Sequence, residues 1–136
     1  MNVQIEPYGK QKARHQKEFN DFQGMFFAFN NKQLDEGLQK VGAKDTGDII
    51  SIGHGGFIHR DRKQDYLDMV ERQIKEMEAL KKDTNALIKG IAHELWNHEY
   101  CITGDASDAL ECFGLTIDTV DKTVLQRAIR EYKKQV

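Results

Sequence analysis

The block His93-Glu94-Leu95-Trp96-Asn97-His98-Glu99-Tyr100 concentrates the side chains of this chain that could do chemistry. It comes within one residue of the His-Glu-x-x-His helix of zinc proteases. In that helix two imidazoles four residues apart reach one metal from one face, and the glutamate between them serves as base. Here the fourth position is Asn97 and the second histidine arrives at 98. At roughly 100° per residue His98 points about 140° away from His93, so one helix cannot present both to one ion.

On a helix running on to Tyr100, His93 and Asn97 face away from the Leu95 stripe, whereas His98 and Glu99 flank it as a partly buried pair. Such a pair needs partners, because an unpaired buried polar group costs about 1–3 kcal/mol. The expected role is structural: it bonds the Gly53–Gly56 turn or caps the corner at Thr103–Asp105. The competing reading gathers His54, His59, His98, Glu99 and Asp105 from separate turns. Three of these donors would suffice for a catalytic zinc, and His98 beside Glu99 would serve as an acid and base pair. No spacing enforces either arrangement, so no catalytic residue, metal or cofactor is assigned. Nucleophilic catalysis is weaker still. Cys101 ends an apolar helix with no basic neighbour in sequence, and Ser51 lies inside a strand.

The elements that must position these groups follow from periodicity and punctuation. Met25–Phe29 is a short apolar run between Gly24 and Asn30, the mark of a buried strand. A helix begins at Asn31, carries Leu34, Leu38 and Val41 on one face and stops at Gly42. Ile49–Ile52 and Phe57–Ile58 read as two further strands. The Gly53-His54-Gly55-Gly56 segment between them fits a hairpin turn better than a dinucleotide loop, which would open straight into a helix. A charged helix over about 61–82 repeats Tyr66, Met69, Val70, Ile74, Met77 and Leu80 at helical spacing. A second runs from a cap at Asp83 or Thr84 to Tyr100 over Leu87, Ile88, Ile91 and Leu95. Shorter helices are expected over 107–113 and 118–134. The fold class is therefore α+β, with four or five helices packed on a small three-stranded antiparallel sheet.

A length of 136 residues suits a single domain, with 1–23 as a flexible or loosely docked helical arm. No apolar run approaches the roughly 18 residues of a membrane helix. Met1–Glu6 lacks the basic and apolar regions of a secretory signal, so a cytoplasmic location is expected. Cys101 and Cys112 form no Cys-x-x-Cys and read as reduced, small core residues.

Net charge is −2, but it is polarised. From Gly90 to Asp121 there is no Lys or Arg, while Glu94, Glu99, Asp105, Asp108, Glu111, Asp118 and Asp121 give that third of the chain −7 and leave +5 for the remainder. Basic residues gather at the ends, in Lys10–Lys17 and Lys122–Lys134. One-sign surfaces of this kind select partners of opposite charge. Direct nucleic-acid binding by the basic ends ranks lower, because a pI of about 6.2 and the acidic middle repel phosphates.

Three strings carry a resemblance. They are Phe26-Phe27-Ala28-Phe29-Asn30 with Gln33 and Gly37; Ser51-Ile52-Gly53 with Gly55-Gly56-Phe57-Ile58; and Asn97–Thr103 followed by Asp108-Ala109-Leu110 and Gly114-Leu115. Over roughly residues 25–117 the chain resembles a family of small uncharacterised proteins of phages, prophages and related mobile elements. The resemblance implies no activity. It implies that the glycine turn, with Gly55 and Gly56, and the segment holding His98 and Glu99 belong to one pattern.

These observations favour a non-enzymatic interaction protein. Its binding acids are Glu94, Glu99, Asp105, Asp108 and Glu111, and its partner is a basic nucleic-acid-binding enzyme of a host, such as a defence nuclease of the CRISPR type. The alternative is a small metal-dependent or acid–base hydrolase, or a nucleotide-binding protein, centred on His54, His98 and Glu99. Helices this charged pack equally within one chain or between two copies, which leaves a homodimer open.

Overall fold

The β-strands form where apolar alternation meets tight turns. In the computed structural model, which describes residues 6–135, β1 (Met25–Phe27), β2 (Ile49–Gly53) and β3 (Gly56–His59) make one antiparallel sheet in the order β1-β3-β2. Ile58 lies opposite both Met25 and Ile50, and Phe57 opposite Phe26 and Ser51. The β2–β3 turn has His54 at φ 52° and Gly55 at φ 79°, left-handed at both central positions as a two-residue hairpin turn requires.

The chain divides into two compact units, one comprising Gln16–Ile74 and the other the residues up to His15 and from Lys75 onward. The first holds the sheet and α2 (Asn31–Val41). Asn30 caps α2 through the Gln33 N–H, and the Gln33 side chain accepts from the Phe29 N–H in return, in the manner of a capping box. Gly42, at φ 73°, ends it. Met25, Phe26, Ile49 and Ile58 are buried here, and the Phe26 and Phe57 rings stack with centroids 5.5 Å apart. Helix α2 lies close on β1 because Gly37 has no side chain: a Cβ there would sit 2.0 Å from the Phe26 ring.

The second unit is helical. Its centre is α4 (Thr84–Asn97), which packs against α5 (Tyr100–Thr103), α6 (Ser107–Glu111) and α7 (Lys122–Lys133). Leu80, Ile88, Ile91, Leu95, Leu110, Phe113 and Tyr132 are buried in its core. Helices α1 (Tyr8–Asn20) and α3 (Lys63–Lys82) run through both units, and α1 adds buried Tyr8 and Gln11 to this one.

The expected α+β class holds, with seven α-helices among the described residues, five of them of eleven residues or more. Several boundaries move. β1 stops at Phe27, where its pairing with β3 runs out at Gly56, and Phe29 is 75% exposed. α3 starts at Lys63 after a single 3-10 turn at Arg60–Arg62. α7 starts four residues later than expected, because Asp121 caps it with one oxygen on the Thr123 and Val124 N–H groups. α4 stops at Asn97 instead of Tyr100, because Glu99 turns left-handed at φ 54°. Residues 1–5, which belong to the expected arm and to the Met1–Glu6 stretch, lie outside the described residues. No helix among the described residues is long and apolar enough to cross a membrane.

The Gly37 contact is testable. Alanine normally gains about 1 kcal/mol over glycine inside a helix. Overpacking against a ring that is 4% exposed costs about 1–3 kcal/mol, and a 2.0 Å approach belongs at the upper end. Gly37→Ala should therefore lower the thermal midpoint, and adding Phe26→Leu should restore part of it. A rise in the midpoint for Gly37→Ala alone would contradict this packing.

A candidate site around a buried glutamate

Helix α4 buries Ile88, Ile91 and Leu95, and it buries a carboxylate with them: Glu94 is 1% exposed. A bare charge in such a place would be very costly, so the surroundings must supply donors. Three elements do so. From α1, the Tyr8 hydroxyl donates to Glu94 Oε1 at 2.9 Å and Lys12 Nζ to the same oxygen at 2.6 Å. From the end of α4, Asn97 Nδ2 donates to Oε1 at 3.2 Å. The other oxygen, Oε2, accepts from the Cys112 thiol at 3.3 Å, just past α6, and has His98 Nε2 at 3.3 Å, at the C-cap of α4. Cys112 Sγ and His98 Nε2 are 3.7 Å apart.

Local chain geometry brings these groups together. Gly90, one turn before Glu94, leaves room for Tyr8 and Phe113: a Cβ there would lie 2.9 Å from the Phe113 ring and 3.2 Å from Tyr8 Cβ. Phe113 is the neighbour of Cys112, so its seating on α4 carries the thiol to the carboxylate. The His93 ring stands edge-on to Tyr8 with centroids 5.5 Å apart.

The electrostatics follow the contacts. Burial by itself pushes the Glu94 carboxyl up, but hydrogen bonds from Lys12, Tyr8 and Cys112 and the charge of Lys12 outweigh it and hold the group down at about 2. Burial, then the Glu94 carboxylate, pushes the Tyr8 hydroxyl above its usual range. The same two causes push the Cys112 thiol up to about 11. This is a thiol held protonated, not an activated nucleophile. The imidazole does not bridge thiol and carboxylate through its two nitrogens, since the same Nε2 faces both, so a relay of the cysteine-protease kind is absent from this geometry.

Placement of the sequence-derived residues changes the reading. Glu94, expected among the surface binding acids, is buried and fully engaged. Glu99 is exposed, not half-buried, because the helix has ended before it and the wheel no longer applies. His98 bonds within its own helix end, not to a glycine turn. Asp105 accepts from the Ser107 N–H at 2.9 Å at the start of α6, and hydrogen bonds from Ser107 lower its pKa. Asp108 and Glu111 are exposed on α6. Gly55 and Gly56 belong to the hairpin of Gln16–Ile74, where Gly55 lies under the Phe29 ring. His54 and His59 are in that unit too, while His98 and Glu99 are in the other, so neither unit by itself unites the histidines. His59 Nδ1 accepts from the Asp61 N–H at 3.1 Å. Cys101 and Cys112 are free cysteines at exposed positions and not core residues, although the Cys112 thiol itself turns in towards Glu94; the Cys101 N–H donates to the Tyr132 hydroxyl at 2.9 Å.

A small α+β protein with a buried carboxylate held by Tyr8, Lys12, Asn97, His98 and Cys112 is the class that the structure defines. Comparison with known sequences places it further: residues 8–135 match a family of unknown function, DUF7659, and the chain belongs to that family. No curated protein and no solved structure matches it.

Removing the compensating cation should expose the cost of the buried charge. Breaking such a pair costs about 3–5 kcal/mol, and because Lys12 is half-exposed, water replaces part of it, so Lys12→Met should cost about 2–3 kcal/mol in chemical denaturation. The sign of the pH dependence is fixed by the shifts. Glu94 is lowered from 4.5 to about 2 on folding, so its contribution is complete above pH 4.5 and is lost as pH falls towards 2. Cys112 is raised from 9.0 to about 11, so its contribution is lost as pH rises over that interval. Melting curves across pH should show both arms, and Glu94→Gln should flatten the acid one.

Proposed function

We propose that the protein acts by binding, through an acidic and partly apolar surface on its helical unit, to a basic surface of a protein partner. One observation carries the reading. Glu99, Asp105, Asp108, Glu111, Asp118 and Asp121 are all exposed, and none is held in an ion pair among the described residues. No Lys or Arg interrupts this stretch, and the large apolar side chains Trp96, Ile102 and Ile117 are 54%, 77% and 51% exposed in and beside it. Unpaired charge of one sign attracts an oppositely charged surface from solution, and an exposed Trp is the residue type that most often anchors an interface.

A basic nucleic-acid-binding enzyme of a host supplies the complementary chemistry, since its lysines and arginines are arranged to meet phosphates. The resemblance to proteins of phages and mobile elements favours a defence nuclease within that class, with the acidic surface occupying the channel in place of nucleic acid. The protein is then an inhibitor and needs no catalytic group of its own. The buried Glu94 cluster is no part of this contact.

The test compares three forms of the tagged protein as bait in a host lysate: wild type, Trp96→Ala, and the triple reversal Glu99→Lys, Asp108→Lys, Glu111→Lys. Retention of a basic nucleic-acid enzyme by the wild type, its loss in about 0.5 M salt, where screening reaches within a few ångströms, and its loss from the triple variant are the expected results. Trp96→Ala should weaken the same capture. A partner held equally by the triple variant, or a set of captured proteins with no basic member, would overturn the proposal.

A further inference from the structure

We propose that Glu94, His98 and Cys112 form a binding site for one divalent cation of the zinc class, independent of the acidic surface. The three side chains come from α4, its C-cap and the end of α6, and their donor atoms all lie within 4.8 Å of one another. They are the three ligand types that zinc accepts: carboxylate oxygen, imidazole nitrogen and thiolate sulfur.

Distances sharpen the assignment. Bonds of about 2.0 Å to oxygen, 2.05 Å to nitrogen and 2.3 Å to sulfur, set at tetrahedral angles, separate the donor atoms by about 3.3 Å for N and O and about 3.5–3.6 Å for the pairs with sulfur. Here His98 Nε2 and Glu94 Oε2 are 3.3 Å apart, Cys112 Sγ and Oε2 3.3 Å, and Cys112 Sγ and Nε2 3.7 Å. An ion seated among them would need only tenths of an ångström of adjustment.

The division of labour on the carboxylate is the second observation. Tyr8, Lys12 and Asn97 all bond Oε1, and Oε2 alone faces the histidine and the cysteine. Outer partners that fix one oxygen and leave the other for the ion are how proteins orient metal-binding carboxylates. Binding would release the thiol proton to solvent, and the carboxylate and thiolate together balance the charge of the ion. Three protein ligands leave a fourth position of a tetrahedral ion to water. It is reachable, because Cys112 is exposed and His98 is 36% exposed.

Cobalt(II) tests the site, because a thiolate ligand gives it a near-ultraviolet charge-transfer band and tetrahedral coordination gives it intense visible bands. Titration of the metal-free, reduced protein with Co²⁺ should produce both at one ion per chain, and Zn²⁺ should bleach them. Cys112→Ser should lose the charge-transfer band and His98→Ala the stoichiometric uptake. Cys101→Ser, which removes the only other thiol, should keep both. Circular dichroism of each variant reports whether it is folded. Absence of the bands in folded wild-type protein would leave a hydrogen-bonded cluster and overturn the proposal. So would bands that persist in Cys112→Ser or vanish in Cys101→Ser.

Discussion

A carboxylate inside an apolar helix face constrains everything packed around it, and Glu94 is such a group. Ile91, one turn before it, and Leu95, the next residue, are both buried and require that the face be covered, and covering it removes water from the charge. The covering elements must then bring donors as well as apolar surface. Helix α1 does so with Tyr8, which fills the core with its ring and bonds Glu94 with its hydroxyl, and with Lys12 one turn on. The end of α4 and the end of α6 do so with Asn97, His98 and Cys112. A slip of α1 by one residue would swing Tyr8 and Lys12 away from the carboxylate together, so the buried charge specifies how the helical unit assembles as well as how stable it is.

The same helix separates two kinds of acidity. Glu94 is consumed by its donors. The acids that follow it are exposed and unpaired, and they share their segment with Trp96 and Ile102. The change falls at Glu99, whose left-handed backbone ends α4 and turns the chain outward. Sequence upstream of that point supplies Glu94 and most of its donors. Downstream, in and around α5 and α6, Ala106, Ala109, Leu110 and Phe113 are buried and Tyr100 packs half-buried against the core, while the acids face solvent. Net charge of the segment therefore describes the surface well once Glu94 is subtracted.

Much of the fold was legible because punctuation and periodicity agreed. Asn30 and Gly42 bracket α2, the paired left-handed residues His54 and Gly55 make the hairpin, and Ile88, Ile91 and Leu95 mark the buried face of α4. The candidate site was half legible. Glu94 stands seven residues after Leu87 and three after Ile91, about 20° and 60° away on a helical wheel, so its burial has a signal in the sequence. Tyr8 carries no such signal, because it stands alone as an aromatic at the head of a charged helix. The left-handed turn at Glu99 has no such signature, since a glutamate seldom adopts it; a helical wheel carried past it makes Glu99 half-buried, whereas it is exposed, while His98 is half-buried as expected. Cys112 could be read only as a small apolar residue, because its partners lie fourteen and eighteen residues away in sequence.

The ionisation of Glu94 in the folded chain is the most direct measure of this account. With glutamate labelled in the side-chain carboxyl and Glu94 assigned by comparison with Glu94→Gln, its ¹³C resonance can be followed by NMR as the pH is lowered. The account predicts a shift that stays at the carboxylate position below pH 4 and moves only on approach to about 2, near acid unfolding. A resonance that titrates like the exposed glutamates, at the ordinary value for the residue, would show that the carboxylate is not held by Tyr8, Lys12 and Cys112 and would contradict the account.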